Sequence, residues 1–291
     1  MRLARTKQEL REALAAPRRE GRTIGLVPTM GSLHDGHLSL LAAARGRCDL
    51  VVMSLFVNPA QFSPGEDLAS YPRDEDRDLA LADGAGVDLV YAPDAGEVYP
   101  PGFATSVEVG GALTDVLCGD PGARGPGHFR GVTTVVAKLF NTVGPDLAFF
   151  GQKDAQQAIA IRRMARDLDF PAEIVIVPTV RERDGLALSS RNAYLSAAER
   201  ERATALSRAL HAAEAEAMGG GDVELALEAA RAELEAAGIE PEYLEARDAE
   251  DLSPAETFNG RPVLVAVAAR IGRARLIDNV VVGSPPSAGN P

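Results

Sequence analysis

The sequence predicts an α/β protein in which a parallel-sheet domain is followed by a smaller α+β domain. Short, continuously apolar segments alternate with helical segments up to residue 179, which is typical of parallel strands covered by helices on both faces. Beyond Asn192 the composition changes to Ala/Glu/Arg-rich helices followed by two apolar strands. We therefore expect a first domain over residues 1–179 and a second, acting as a lid, over residues 180–291.

Capping residues, prolines and apolar runs define the elements of the first domain. Thr6 and Glu9 form a capping box that predicts a first helix, which Pro17 ends. The predicted strands lie at residues 23–29, 49–58, 87–93, 146–151 and 172–179. The later helices are predicted at residues 38–46, 74–86, 132–144 and 154–169. Such sheets bind ligands beyond the carboxyl ends of their strands, so the segments after the strands are candidates for a site.

The second domain begins with a helix whose start is marked by another capping box, Ser196 with Glu199. The remaining predicted elements are a helix at residues 223–237 and strands at residues 261–271 and 274–282. A hinge is expected around residues 178–184. The last residues, 283–291, are rich in Gly, Pro and Ser and are predicted to form a flexible tail.

Composition and charge exclude several classes of function. The net charge of −12 argues against general attraction to nucleic acid or to anionic membranes. The N-terminal segment is charged throughout, unlike a signal peptide, and no apolar run approaches the ~20 residues that span a bilayer. Cys48 and Cys118 form neither a CxxC pair nor a disulfide framework, which suits a reducing compartment. We expect a soluble, cytoplasmic protein.

The segment HDGH places His34 and His37 three residues apart after the first predicted strand. In one interpretation, one histidine caps a helix or packs in the core and the other is exposed. A zinc site is a second interpretation, but the other two histidines do not stand at ligand-like spacing. The third is phosphate binding: Gly31 and Gly36 permit close backbone approach, a helix N-terminus attracts anions, and imidazoles can donate hydrogen bonds. We favour phosphate binding.

The segment FFGQKDAQQ places Lys153 and Asp154 at the end of a predicted strand. Lysine is rare in this chain, and here it can act as a compact charge on phosphate. Asp154 can hold a metal ion or position the lysine, although a surface ion pair is the alternative. Gln156 and Gln157 begin the next helix, and an uncharged amide facing the cleft suits a hydroxy acid.

Two further segments carry candidate ligand-binding side chains. Ser189, Ser190 and Arg191 follow the predicted hinge, and two hydroxyls with a guanidinium can clamp phosphate oxygens as a mobile flap. Asn58 and Gln61 lie just after the second strand. Asn–Pro turn chemistry explains part of that segment, but Gln61 has no evident structural task and is a candidate for substrate binding.

Six motifs in chain order resemble those of the pantothenate synthetases, the pantoate–β-alanine ligase family. They are PTMGSLHDGH, FVNPAQF, YPRDEDRDL, LCGDPGARGPGHFRGVTTVVAKLF, FFGQKDAQQ and VRERDGLALSSRN. The resemblance implies a Rossmann-like domain with a smaller C-terminal domain, a Mg²⁺ requirement and a homodimer. It also implies ATP-dependent condensation of (R)-pantoate with β-alanine to give pantothenate, AMP and pyrophosphate, through a pantoyl adenylate.

The resemblance also assigns roles to residues of this chain. The implied ATP-binding residues are Met30, Gly31, Ser32, Leu33, His34, Asp35, Gly36, His37, Gly151, Gln152, Lys153, Asp154, Val180, Leu188, Ser189, Ser190 and Arg191. The implied catalytic set is His34, His37, Lys153, Ser189, Ser190 and Arg191, with His37 as proton donor. Gln61 and Gln157 are implied to hold pantoate, Gln61 also faces β-alanine, and Asn58 joins them as a substrate-binding candidate.

This chain departs from the family pattern at three positions, and other functions stay open. Gln152 stands where glutamate is frequent, Ala155 where an aromatic is usual, and Arg77 where an acidic residue is common. The ligands of Mg²⁺ are therefore left unassigned. Nucleotidyl transfer to another acceptor is an alternative, although Gln61 and Gln157 suit a small hydroxy acid better. A nucleotide-binding regulator without catalysis is a further alternative.

Overall fold

The computed structural model describes residues 1–62, 68–69, 71–258 and 260–283. Its larger sheet has six parallel strands in the order β1-β4-β3-β2-β5-β6. These strands are β1 Arg2–Ala4, β2 Ile24–Thr29, β3 Leu50–Leu55, β4 Leu89–Tyr91, β5 Leu147–Gly151 and β6 Glu173–Val177. The predicted α/β fold with a Rossmann-like parallel sheet is confirmed. The predicted flexible tail lies outside the described residues from position 284 onward.

Helices cover both faces of this sheet. The helices of this part of the chain are α1 Lys7–Arg19, α2 Asp35–Arg47, α3 Glu75–Gly84, α4 Ala95–Val98, α5 Ala112–Asp115, α6 Pro126–Val143 and α7 Ala155–Asp167. Side chains of a strand alternate between the faces, so Phe150 joins the core under α1, α6 and α7 while Phe149 joins the core under α2 and α3. Burial on both faces explains why the inner strands β2, β3 and β5 are almost continuously apolar.

The C-terminal part packs two helices on a three-stranded antiparallel sheet of order β7-β8-β9. Its elements are α8 Ala197–Met218, α9 Val223–Ala236, β7 Pro241–Asp248, β8 Val263–Ile271 and β9 Ala274–Val282. The capping box of Ser196 and Glu199 opens α8 as predicted. Strand β7 was not predicted, because charged residues alternate with Leu244 and Ala246 and only one face of this strand is buried.

The end of α1, the start of α6 and the strand β1 are among the features that differ from prediction. Helix α1 continues beyond Pro17 to Arg19, since a proline near a helix end removes one backbone hydrogen bond and leaves the last residues helical. Helix α6 begins at Pro126 rather than near residue 132, with proline in the first turn, where its missing N–H costs little. The short strand β1 was not predicted.

Candidate active site

A cleft of about 260 Å³ opens where β2, β3, β5 and β6 end, and residues of β8 and β9 form part of its wall. This position, outside the carboxyl ends of parallel strands, is the expected ligand site of the fold. The predicted residues that line it are Met30, His34, Gly36, His37, Asn58, Gln61, Gly151, Lys153, Asp154, Gln157, Val180, Leu188, Ser189, Ser190 and Arg191. Segments far apart in the sequence therefore meet in one place.

The other predicted residues shape the loops around the cleft and do not line it: Gly31, Ser32, Leu33, Asp35 and Gln152. The N–H groups of Ser32 and Leu33 donate to the Asp78 carboxylate at 2.8 and 2.7 Å. Gly31 has a φ of +84°, and a Cβ at this position would lie 2.9 Å from an Asp78 oxygen. Buried Asp78 therefore holds the loop that delivers the histidines.

Replacing Asp78 with asparagine should destabilise the protein, because the amide offers one acceptor and turns an N–H group toward another N–H group. Asp78 is only 1% exposed, so we expect a loss of about 1–3 kcal/mol in the free energy of unfolding. Urea unfolding measures this loss. Asp76→Asn, on an exposed position of the same helix, is the control. An Asp78→Asn variant as stable as wild type would contradict the anchoring role.

The two histidines form a paired cap at the start of α2. The His34 ring Nδ1 accepts a hydrogen bond from the Gly36 N–H at 3.1 Å. The His37 Nδ1 accepts from the His34 N–H at 3.4 Å, and the ring centroids are 4.1 Å apart. One part of the capping interpretation is thus correct, but both rings also line the cleft. Because each Nδ1 is an acceptor, a neutral ring carries its proton on Nε2 as a donor.

Burial lowers the pKa of both imidazoles. The pKa of His37 falls from 6.5 to about 3 through burial and the neighbouring His34 ring. The pKa of His34 is lowered first by burial and then by the charge of Lys153. Both rings are therefore neutral hydrogen-bond donors near pH 7, which agrees with contacts to phosphate oxygens and does not supply a charged imidazolium.

The lowered pKa of His37 predicts a pH dependence of stability. Below pH 6.5 the unfolded chain binds a proton at His37 that the folded chain does not accept until about pH 3. The free energy of unfolding should therefore fall as the pH is lowered through this window, and His37 should contribute no pH dependence above it. Urea unfolding of wild type and His37→Asn at several pH values measures this. A difference between the two that does not change with pH would refute the assignment.

Lys153 follows β5 in a 3₁₀ turn, Gln152–Asp154, which leads into α7. Its Nζ lies 3.7 Å from Asp154 Oδ2. Desolvation works against ionisation of Asp154, but the positive charges of Lys153, Arg191 and Arg124 outweigh it and lower the pKa of this carboxyl. The cleft of this acidic protein thus concentrates cationic side chains around one carboxylate, an arrangement that suits a polyphosphate.

Gln61 is held by a buried hydrogen-bond network. The Asn58 amide donates to Gln61 Oε1 at 3.0 Å and to the Gly131 carbonyl at 3.1 Å. The Tyr99 hydroxyl donates to Asn58 Oδ1 at 2.8 Å. Asn58 lines the cleft as predicted, yet its hydrogen bonds go to the protein, so its clearest task is to orient Gln61. With its oxygen occupied, Gln61 presents its amide N–H groups to a ligand acceptor.

His128 fixes the backbone of Gln61 and was not assigned a role from sequence. Its Nδ1 lies 2.8 Å from the Gln61 carbonyl oxygen, and its Nε2 lies 3.2 Å from Arg124 Nη1. Because a guanidinium can only donate, Nε2 accepts and Nδ1 carries the proton to the carbonyl. The correct start of α6, at Pro126, places His128 in its first turn.

The two glutamines that begin α7 have different environments. Gln156 is 6% exposed. Its oxygen accepts from the Cys118 N–H, and its amide donates to the carbonyls of Leu113 and Val116. Gln156 therefore fastens the 113–118 segment. Gln157 is half-buried and lines the cleft, which makes it the glutamine available to a ligand.

The Ser189–Arg191 segment lines the cleft after the turn that follows β6. Ser189 caps a 3₁₀ helix, Ser190–Tyr194, and its Oγ accepts from the Arg191 N–H at 3.3 Å. The Asn192 amide donates to Glu182 Oε1 and to the Ala187 carbonyl, both at 3.1 Å. These bonds join the segment to the turn between residues 181 and 187.

The middle of β9 connects this segment to the lysine turn. Arg181 makes a bidentate ion pair with buried Asp278 at 2.6 and 3.0 Å. The Asn279 amide donates to the carbonyls of Gln152 and Lys153, each at 2.9 Å. Two consecutive residues of the C-terminal sheet therefore fasten both of the loops that deliver cationic side chains to the cleft.

The described residues contain no group of three or more His, Cys, Asp or Glu side chains arranged to hold a metal ion. The zinc interpretation of the histidine pair therefore has no support in these residues. Within the same ranges, no helix combines the length and apolar character needed to cross a bilayer.

Comparison with known proteins decides the family. The model of the family described as Pantoate-beta-alanine ligase matches residues 2–281. The chain belongs to the pantoate–β-alanine ligase family. The family and the enzyme class predicted from the motifs are thereby confirmed.

Relatives and solved structures of these ligases cover almost the whole chain. The pantothenate synthetase of Moorella thermoacetica is 55% identical over 97% of this chain and 99% of its own length. The crystal structure of pantothenate synthetase from Thermus thermophilus superposes with a TM-score of 0.91 at 51% identity, covering 96% of this chain and 99% of that one. A ligase structure from Francisella tularensis, complexed with beta-gamma ATP and beta-alanine, has a TM-score of 0.80 at 30% identity, with coverages of 99% and 100%.

The ligase site also uses residues that sequence reasoning missed. They are Asp78, Tyr99, Arg124, His128, Asp278 and Asn279. Most of them act on other residues through buried hydrogen bonds. The motif containing His128 was recognised as part of the family pattern, but Asp278 and Asn279 lie in a strand that gave no signal beyond its apolar character.

Proposed function

We propose that this protein condenses (R)-pantoate with β-alanine at the expense of ATP, giving pantothenate, AMP and pyrophosphate through a pantoyl adenylate. One observation carries the proposal: the cleft brings neutral histidine donors and Lys153 together with the amides of Gln61 and Gln157. The first group suits phosphate oxygens, and the second suits the hydroxyl and carboxylate oxygens of a small hydroxy acid.

In the first step a pantoate carboxylate oxygen attacks the α-phosphorus of ATP, and the bond to pyrophosphate breaks. Two anions must approach each other, so catalysis consists mainly of positioning and charge neutralisation. Lys153 and the His34 and His37 Nε2–H groups stabilise the charge that develops on the phosphate oxygens. Gln61 and Gln157 orient the pantoate, and neutral rings let the histidines donate without repelling Lys153.

In the second step the neutral amine of β-alanine attacks the carbonyl carbon of the mixed anhydride, and AMP leaves with the former carboxylate oxygen. The adenylate hydrolyses if water reaches it, so the site must exclude water between the steps. We propose that residues 180–291 act as a lid on residues 1–179, with Ser189, Ser190 and Arg191 closing over the phosphates.

Magnesium enters the proposal with the nucleotide. Mg²⁺ commonly uses one or two carboxylates together with substrate phosphates, and Asp154, held ionised among cations, fits as such a ligand. The ion would neutralise phosphate charge when bound. We further propose that the protein is a cytoplasmic homodimer, as family membership suggests. Its partners would be small molecules, and not nucleic acids or membranes.

Isotope transfer tests this mechanism. With (R)-pantoate labelled by ¹⁸O in the carboxylate, AMP should acquire one labelled oxygen per pantothenate formed, as measured by mass spectrometry. Label that stays wholly in pantothenate, or appears in inorganic phosphate, would contradict an adenylate intermediate. Absence of any pantothenate would favour nucleotidyl transfer to another acceptor.

A further inference from the structure

Asn279 lies in the wall of the cleft and carries an unpartnered buried oxygen, and it has no role in the reaction proposed above. Its side chain is 4% exposed and lines the cleft. Its Nδ2 is fully occupied by the carbonyls of Gln152 and Lys153, while its Oδ1 is a buried oxygen that accepts no hydrogen bond from the described residues. A buried, unsatisfied acceptor is rare in folded proteins and costs stability.

The orientation of this amide is determined by its neighbours. Both bonds from Nδ2 end on carbonyl oxygens, so turning the amide over would bring Oδ1 against two acceptors. The Asn279 backbone is also fixed, because its N–H donates to Asp278 Oδ1 at 2.8 Å, and Asp278 is held by Arg181. Rotation of the amide therefore cannot satisfy this oxygen, and a ligand bound in the cleft is a source of the missing donor.

We infer that Asn279 is a further substrate-contacting residue, whose Oδ1 accepts a hydrogen bond from a ribose hydroxyl of the nucleotide. An amide oxygen can only accept, so phosphate and carboxylate oxygens are excluded as partners. Asn279 is anchored on the Gln152–Lys153 turn, which belongs to the ATP-binding part of the cleft in the proposed function. The inference therefore rests on that proposal. The other donors among the substrates are the hydroxyls of pantoate, the adenine amino group and the amine of β-alanine, and deoxynucleotides distinguish the ribose from all of them.

The same bonds make Asn279 a positioning residue for Lys153. Its amide holds the carbonyls of the turn that carries the lysine, while the neighbouring Asp278 holds the segment leading to Ser189–Arg191 through Arg181. Ribose binding at Oδ1 would complete the hydrogen bonding of a residue that braces the lysine turn. Nucleotide recognition and lysine placement would then share one side chain.

Pantoate-dependent exchange between pyrophosphate and ATP tests the inference without β-alanine. Wild type should show a KM about tenfold higher for either 2′-deoxy-ATP or 3′-deoxy-ATP than for ATP, which identifies the hydroxyl. In Asn279→Ala the KM for ATP should rise by a similar factor, and removing that hydroxyl should have no further effect, as expected for two groups in direct contact. Asn279→Asp keeps an acceptor and loses the donors, so it should lower kcat yet still prefer ATP.

Val280→Ala is the matched control, since Val280 is the next residue of β9 and packs toward the C-terminal core. It should keep the wild-type preference. If Asn279→Ala does not fold, the deoxynucleotides still test the contact on wild type. Equal KM values for all three nucleotides in wild type, or an undiminished preference in Asn279→Ala, would overturn the inference. A defect confined to the β-alanine step would also overturn it and assign the donor to the amine. Failure of the proposed function is separate, because wild type itself would then show no exchange.

Discussion

Replacing Lys153 with glutamine is expected to lower kcat by about 10²–10³-fold while the protein stays folded. The glutamine side chain is one atom shorter than that of lysine and keeps an N–H donor, but it removes the positive charge. In the proposed mechanism Lys153 neutralises phosphate charge most strongly in the transition state, and loss of one well-placed donor of this kind costs roughly 3–4 kcal/mol. The KM for ATP should change less than kcat, because the other phosphate contacts remain.

Steady-state kinetics and circular dichroism measure the effect of Lys153→Gln. Lys7→Gln is the matched control: Lys7 lies on α1, 3.8 Å from Glu97, and does not line the cleft. It should retain wild-type kcat and KM. A kcat of Lys153→Gln within threefold of wild type would contradict a catalytic role for Lys153. An equal loss of kcat in Lys153→Gln and Lys7→Gln would contradict it as well.

Replacing His37 with asparagine is expected to lower kcat by a similar factor, about 10²–10³-fold. The asparagine oxygen can accept the hydrogen bond from the His34 N–H that Nδ1 accepts at 3.4 Å, so the cap of α2 should survive. The amide is too short to replace the Nε2–H donor. Because the pKa of His37 is lowered to about 3, its protonation should not reduce wild-type activity between pH 8 and pH 6.

Activity profiles against pH and thermal unfolding test the role of His37. His211→Asn, on α8 near Ser207, is the control and should leave kcat unchanged, since His211 does not line the cleft. Full activity in His37→Asn would exclude the ring as a phosphate donor. If the His37→Asn variant loses stability near pH 7 in parallel with its activity, the result would indicate that the ring acts only as a cap of α2.

The fold was predictable to the extent that periodicity and caps carry information. Thr6 with Glu9 and Ser196 with Glu199 mark helix starts in the sequence because these bonds are local. Strand β7 and the start of α6 were missed for a different reason. Strand β7 has one exposed face, and α6 has a proline in its first turn. The residues that pack against these elements decide whether they form, and a local sequence pattern does not identify those residues.

The position of the candidate site was predictable for side chains that line the cleft and less so for those that act through hydrogen bonds to other residues. His34, His37, Lys153 and Gln61 were predicted from the side chains that phosphate and hydroxy-acid chemistry favour after strands, and all four line the cleft. Asp78 acts on a loop 45 positions away in the chain, at Leu33. Asn58 was assigned to substrate for its residue type, whereas its hydrogen bonds orient Gln61. Partners this distant meet only once the chain has folded.

Pyrophosphate release is the most direct test of the central claim, that one cleft forms and then uses an acyl adenylate. Enzyme at high concentration is mixed with ATP, Mg²⁺ and (R)-pantoate, and pyrophosphate is followed with and without β-alanine. The account predicts release of about one equivalent per active site without β-alanine and continuous turnover once β-alanine is added. Absence of pyrophosphate under both conditions, or release that never depends on pantoate, would contradict it.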